Sequence, residues 1–132
     1  MDKLSSSGLM RSKNATPYIE QMMMLSYKPQ FYDQEKSDGL SLHLPNDYYE
    51  RSAVFMQLAG EMNDYDLIND LANVSTQTLL ISGESEPAKD LYLREFAQSF
   101  QAAQIQIIEQ AGHFPFIEQA KSYFEVIEEF LN

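Results

Sequence analysis

Strand-like and helix-like patterns alternate in the last part of the chain, and this alternation limits the folds open to it. Residues 78–82, TLLIS, form a continuous apolar run before Gly83, which is typical of a strand buried on both faces of a parallel sheet. Residues 87–101 carry apolar side chains at helical spacing, and residues 105–108, IQII, form a second strand-like run. With the tail helix, the order predicts a βαβα unit with parallel strands and a right-handed crossover.

Residues 31–47 predict a loop because they are rich in Asp, Gly and Pro. The C-terminal tail of the chain, in contrast, predicts an amphipathic helix. Glu125, Glu128 and Glu129 lie mostly opposite the apolar side of the tail. The apolar stripe of the tail consists of Ala120, Tyr123, Ile127, Phe130 and Leu131.

An upstream helix is predicted over residues 45–60, PNDYYERSAVFMQLAG. Asn46 or Asp47 can cap its N-terminus, and Glu50 stands three residues after Asp47, in the capping-box relation. Gly60 is expected to end the helix.

Composition excludes several classes of protein. The chain has 132 residues, about one domain, and 9 Lys+Arg against 20 Asp+Glu give a net charge of −11. This charge repels phosphate backbones and anionic membrane surfaces, so neither nucleic acid nor a membrane is an expected partner. The lack of cysteine excludes disulfides, thiolate zinc sites and cysteine nucleophiles. No apolar run approaches a membrane span and the N-terminus lacks a signal-peptide core, so a cytoplasmic location is expected.

Candidate catalytic residues follow both predicted strands. The first strand leads into GESEP, which carries Glu84 and Glu86, and the second leads into EQAGHFP, which carries Glu109 and His113. Chemistry in parallel sheets collects at the carboxyl edge, so a carboxylate and an imidazole from adjacent strands can meet there. Such a pair supplies the base and the acid of a nucleophile-base-acid triad.

The same residues resemble a known family. TLLISGESEP, followed after the crossover by AGHFPFIEQAKSYFEVIEEFL, resembles the C-terminal part of α/β-hydrolase-fold serine hydrolases. The resemblance implies that Glu86 is the triad acid and His113 the general base. The other matching positions are Gly83, Glu84 and Pro87 in the acid loop, Gly112, Pro115 and Glu118 in the histidine loop, and Tyr123, Ile127, Phe130 and Leu131 in the last helix.

The resemblance extends upstream more weakly and implies a division of the chain. YDLINDLANVSTQTLLISGE resembles the segment that returns from the cap of proline iminopeptidase-like members, and LSSSGLM resembles the strand end before that cap. The implied parts are the end of a core strand over residues 1–8, a helical cap or lid over 9–74, and the C-terminal core over 75–132.

Three departures from the family pattern stand out. Glu86 replaces the commoner Asp, which some branches of the family also do, and Gln77 and Ala120 replace two prolines. No G-x-S-x-G nucleophile elbow occurs in the sequence. Ser5, Ser6 and Ser7 are poor substitutes because Leu4 stands where the elbow of Ser6 needs a small residue.

Plainer interpretations stay open for several residues. His113 can be a capping or core histidine, His43 reads as a loop histidine, and Asp90 is a rival acid whose place in a helix first turn the helix dipole also explains. The methionines at 22–24, with Met56 and Met62, can pack a cap helix or line an apolar pocket. An amine site or a solvated acidic turn would account for Glu61, Asp64 and Asp66.

The sequence therefore predicts an α/β protein, a partial α/β-hydrolase fold in which a helical cap precedes a βαβα unit. Its expected function is that of a C-terminal fragment of a serine hydrolase, aminopeptidase-like or esterase-like, that is inactive alone. The alternative is a non-catalytic binding module derived from the cap. Expected partners are a small ester, amide or short peptide substrate after complementation, and either a second copy or a missing N-terminal half. No cofactor or metal is expected.

Overall fold

The computed structural model describes residues 15–62, 66–87 and 89–132. Contacts divide the chain into two compact units. The first, here the helical unit, contains residues up to Tyr27 and Ser41–Tyr65; the second, here the sheet unit, contains Lys28–Leu40 and Asp66–Asn132. The strand end expected over residues 1–8 lies outside the described residues, and the cap over 9–74 stays a prediction.

Two helices form the described part of the helical unit, α1 over Thr16–Tyr27 and α2 over Tyr48–Glu61. The chain before α2 is held against α1 by two hydrogen bonds. Thr16 Oγ1 donates to the Pro45 carbonyl at 3.3 Å, and the Leu44 N–H donates to Glu20 Oε1 at 3.0 Å. Ala15, Thr16 and Ile19 are the buried residues of the described part of this unit.

The predicted cap of α2 is correct in position and wrong in mechanism. Asp47 is the N-cap residue, but its side chain makes no capping hydrogen bond. It accepts a hydrogen bond from Arg51 Nε at 2.8 Å instead, and this bond lowers the pKa of the Asp47 carboxyl below its ordinary value. Gly60 does not end the helix, because the helical hydrogen bonding continues through it to Glu61.

The sheet unit has the mixed α/β character that the sequence predicts. Strands β1, Thr78–Gly83, and β2, Ala103–Ile108, pair in parallel, in a register that runs from Thr78 opposite Ala103 to Gly83 opposite Ile108. The short helix α3, Ile68–Leu71, precedes them. The crossover is a π-helical turn, Lys89–Leu93, followed by α4, Arg94–Gln98, where the sequence predicted one helix.

Burial of β1 on both faces is wrong for most of its length. Only Ser82 and Gly83 are buried, residues 78–81 are half-buried, and Ile105 of β2 is exposed. Within the described residues the sheet has two strands, so each strand has an unpaired edge, beside which side chains stay accessible to solvent. The buried ends of the strands are the ends from which the two candidate loops leave.

The predicted tail helix is observed, with its whole apolar stripe in one helix, and a short helix precedes it. Helix α5, Pro115–Glu118, begins with proline, which suits a first helical position, and α6, Ala120–Leu131, follows. The break is at Gln119, whose φ of −137° and ψ of 53° are not helical. The predicted stripe is half-buried at Tyr123, Ile127 and Phe130 but exposed at Ala120 and Leu131, which lie at the ends of α6.

None of the helices in the described ranges combines the length and the hydropathy that a membrane span requires.

Candidate active site

The two loops at the carboxyl edge of the sheet are joined by hydrogen bonds. The Glu84 N–H donates to the Ile108 carbonyl and the Ser85 N–H donates to the Ala111 carbonyl, both at 2.9 Å. These bonds continue the pairing of the strands past Gly83, so the acid loop and the histidine loop lie side by side. The sequence prediction that the two loops meet at one edge is confirmed.

Gln110 gives the histidine loop its sharp turn. Its φ of 53° is in the left-handed region, which costs a residue with a side chain about 1–3 kcal/mol and persists only where neighbours fix it. The Gln110 N–H donates to Glu84 Oε2 at 2.9 Å, and Gln119 Nε2 donates to the Gln110 carbonyl at 3.2 Å. Glu84, a candidate acid by position, therefore acts here as a backbone anchor.

Two glycines allow three backbone segments to pack closely behind His113. A Cβ atom on Gly83 would clash with the Gly112 carbonyl oxygen and lie 2.5 Å from the Ala111 carbonyl oxygen. A Cβ atom on Gly112 would clash with the Gln30 carbonyl oxygen, which accepts a 2.9 Å hydrogen bond from the His113 N–H. Side chains at these positions would separate the loops.

We expect Gly83→Ala to destabilise the sheet unit by about 1–3 kcal/mol or more, because the added methyl group meets backbone atoms that cannot rotate away. Urea denaturation followed by circular dichroism measures the loss. Gly60→Ala is the matched control, since a Cβ atom there meets nothing within 4 Å and alanine favours a helix. Equal midpoints for wild type and Gly83→Ala would contradict the close packing.

His113 and Glu86 form a hydrogen-bonded pair. His113 Nδ1 lies 2.6 Å from Glu86 Oε2, and the side chains are 52% and 19% exposed. A carboxylate only accepts, so Nδ1 carries the hydrogen, and this bond fixes both the tautomer and the orientation of the ring. In the part of the chain that the structure describes, Nε2 of His113 has no hydrogen-bond partner. The ring can therefore exchange a proton with another group through Nε2.

An open groove of about 400 Å³ lies beside the pair. One side is aromatic: the Phe116 and Tyr123 rings are 6.0 Å apart between centroids, and Phe116 is exposed. The groove thus combines an accessible imidazole with apolar surface, as many ligand sites do. Its lining residues are Ile81, Ser82, Gly83, Glu86, Gly112, His113, Pro115, Phe116 and Tyr123.

Sequence reasoning missed the contribution of residues Lys28–Leu40, here the clamp segment. It was predicted to be a loop from residue 31 onward, but it contains a 3₁₀ helix over Gln34–Gly39 and contacts the histidine loop. The Phe31 ring stacks on Phe114 with centroids 4.5 Å apart and planes 21° from parallel. A signal in the sequence was the aromatic pair Phe31 and Tyr32 in a stretch otherwise rich in polar residues.

The other candidate residues have different roles or lie outside the described residues. His43 is exposed in a loop, as predicted, with Nε2 3.3 Å from Ser41 Oγ. Asp66 Oδ1 accepts from the Ile68 N–H at 2.9 Å at the start of α3, a local structural bond. Outside the described part lie Ser5, Ser6, Ser7 and Asp64 entirely, and the side chains of Glu61 and Asp90. No cluster of metal-ligating side chains occurs among the described residues.

A scan of protein-family models and searches of curated proteins and of solved structures found no match to this chain.

Proposed function

We propose that this chain is the C-terminal part of an α/β-hydrolase-fold serine hydrolase, with His113 as general base and Glu86 as the acid that orients it. The observation that carries the proposal is the 2.6 Å bond between His113 Nδ1 and Glu86 Oε2 at the carboxyl edge of two parallel strands. Among the described residues Nε2 of His113 has no hydrogen-bond partner, which supports the proposal because Nε2 is the nitrogen that would accept the proton of a nucleophile.

The chemistry of the pair follows from its geometry. A serine hydroxyl beside Nε2 would give its proton to His113 as its oxygen attacks the carbonyl carbon of an ester or amide. The protonated ring then returns that proton to the alcohol or amine, which departs as its bond to the carbonyl carbon breaks and leaves the acyl group on the serine. A water molecule that gives its proton to His113 then attacks this ester, and the ring returns the proton to the serine oxygen as the acid is released. Glu86 stabilises the charged ring through Nδ1 and stays ionised throughout. No cofactor is needed for this cycle.

The nucleophile must come from outside these 132 residues, since they contain no G-x-S-x-G. The proposed partner is an N-terminal half that supplies the elbow and the oxyanion hole, whether continuous with this chain or separate from it. The unpaired edges of β1 and β2 support this, because such an edge accepts a further strand. A second copy of this chain, bound at the same strand edge, is the alternative partner.

The proposal is tested by labelling with a fluorophosphonate, which reacts with activated serines. The chain is tagged at its C-terminus in the organism that makes it and is purified through the tag. We expect a labelled serine, either in an N-terminal extension of the tagged chain or in a copurified polypeptide, and no labelling after His113→Ala. A tagged chain of 132 residues that never copurifies with a labelled serine would refute the proposal and favour the non-catalytic binding module.

We also expect the isolated 132-residue chain to hydrolyse p-nitrophenyl acetate no faster than free imidazole does. Triad members act as a unit, so a base and an acid without nucleophile and oxyanion hole have little to activate. Release of p-nitrophenol is followed by absorbance for the chain and for imidazole at equal concentration. Turnover well above imidazole that disappears in His113→Ala would show that a nucleophile is present within these residues.

A further inference from the structure

Glu118 is a buried carboxylate that the proposed chemistry does not use. Only 4% of the residue is exposed, yet both carboxylate oxygens accept hydrogen bonds from backbone N–H groups. Oε2 accepts from Gly112 at 2.7 Å, and Oε1 accepts from Asp33 at 3.1 Å. These hydrogen bonds offset the free-energy cost of burying the carboxylate, which is high for a charged group without partners.

The two N–H groups belong to the two segments that must meet behind the imidazole. Gly112 directly precedes His113, and Asp33 lies in the clamp segment at the start of its 3₁₀ helix. Lys36 Nζ adds a third bond, to the main-chain oxygen of Glu118 at 2.7 Å. One residue therefore binds the histidine loop through its side chain and the clamp segment through both its side chain and its backbone.

The clamp segment in turn holds the backbone of His113. The Gln30 carbonyl accepts from the His113 N–H at 2.9 Å, and the Phe31 ring stacks on Phe114, the next residue. Residues 112, 113 and 114 are thus each fixed by a separate contact, two of them directly with the clamp segment and one through Glu118.

We propose that Glu118 is a positioning residue: its carboxylate bridges the Gly112 and Asp33 N–H groups and thereby keeps the His113 imidazole within hydrogen-bonding distance of Glu86. The catalytic meaning of this role rests on the proposed function, whereas the effect on the His113–Glu86 bond does not. Where the pair is catalytic, a displacement of about 1 Å costs roughly 100-fold in rate.

The test uses the full chain labelled with ¹⁵N and the variant Glu118→Gln, which keeps the size of the side chain. The amide group presents a donor where a carboxylate oxygen accepted, so one of the two N–H groups loses its partner. We expect the Gly112 or Asp33 amide to exchange with solvent about 10- to 100-fold faster, the loss for a bond to a charged group. The His113 Nδ1–H proton should also exchange faster, at temperatures where the variant is fully folded.

Glu125→Gln is the matched control, because it removes the same charge from an exposed position on α6, where Glu125 lies 3.8 Å from Lys121. It should leave both exchange rates unchanged. A merely structural role for Glu118 would lower the unfolding midpoint without altering the Nδ1–H exchange rate of the folded state, and that result would overturn the proposal.

Two further measurements keep the test decisive if Glu118→Gln does not fold. In the wild-type chain, the Gly112 and Asp33 amides should be protected to a similar degree, and an unprotected Asp33 amide would overturn the bridge. Lys36→Met, which leaves the carboxylate intact, should accelerate Asp33 exchange more than Gly112 exchange; no change at either amide would also overturn the bridge.

The positioning role and the hydrolase function can fail separately. Altered Nδ1–H exchange in Glu118→Gln without any fluorophosphonate-reactive partner would keep the positioning role and refute the hydrolase function.

Discussion

Replacement of His113 by alanine should reduce ester hydrolysis by the assembled enzyme on the order of 10⁶-fold, since loss of the general base disables the whole triad. The measurement is kcat on a p-nitrophenyl ester for the assembly purified through the C-terminal tag. Binding of substrate in the groove should change little, so the loss should appear in kcat and not in KM. A loss of less than tenfold would show that another residue acts as base.

Glu86→Ala in the same assembly should cost less, about 10⁴-fold, because the ring loses its orientation and tautomer but keeps Nε2. Glu109→Ala is the matched control, since Glu109 is an exposed carboxylate in the histidine loop itself. Glu109→Ala removes the same charge and should leave kcat within about twofold of the wild-type value, because water and salt screen an exposed charge. Equal losses for Glu86 and Glu109 would indicate a general effect of charge rather than a specific pair.

The largest expected loss of stability is for Phe31→Ala, about 3–5 kcal/mol. Phe31 is 5% exposed and Phe114 8% exposed, and their stacked rings join the clamp segment to the histidine loop. Truncation removes the transfer free energy of the ring and leaves a cavity between the two segments. Urea denaturation monitored by circular dichroism should show an earlier midpoint at an unchanged slope.

Phe31→Leu and Phe116→Ala are the controls for the Phe31 prediction. Leucine keeps much of the buried volume and should cost less than alanine. Phe116 is exposed, so its truncation leaves no internal cavity and should change the free energy of unfolding by much less than Phe31→Ala does. A Phe31→Ala variant as stable as wild type would show that the clamp segment does not pack on the histidine loop.

Local pattern predicted the strands of the sheet unit well. The apolar run at 78–82 and the run at 105–108 both lie within observed parallel strands, because short continuous apolar runs are typical of such strands, although only the carboxyl ends of these two are buried. The meeting of a carboxylate from the first loop with His113 followed from that arrangement, since both loops leave the same edge, whereas the choice of Glu86 over Glu84 came from the family resemblance. A parallel sheet thus made the site predictable once its strands were identified.

The support for His113 was not predictable in the same way. Glu118 binds Asp33 and Lys36, partners 85 and 82 residues away in the chain, and no local periodicity reports such contacts. The clamp segment looked like a loop because its Asp and Gly residues suit turns, yet residues 34–39 form a 3₁₀ helix, an element that is short and often serves as a connector. The short helix before Gln119 and the break at Gln119 were not predicted, because the predicted apolar stripe begins only at Ala120.

The His113–Glu86 bond is tested most directly by the ¹⁵N NMR spectrum of the His113 ring in the isolated chain. We expect that the neutral ring carries its hydrogen on Nδ1, that this proton appears far downfield, and that its signal is lost in Glu86→Ala but kept in Glu109→Ala. A ring with its hydrogen on Nε2, or an Nδ1–H signal that is the same in wild type and Glu86→Ala, would contradict the pair on which the proposed function rests.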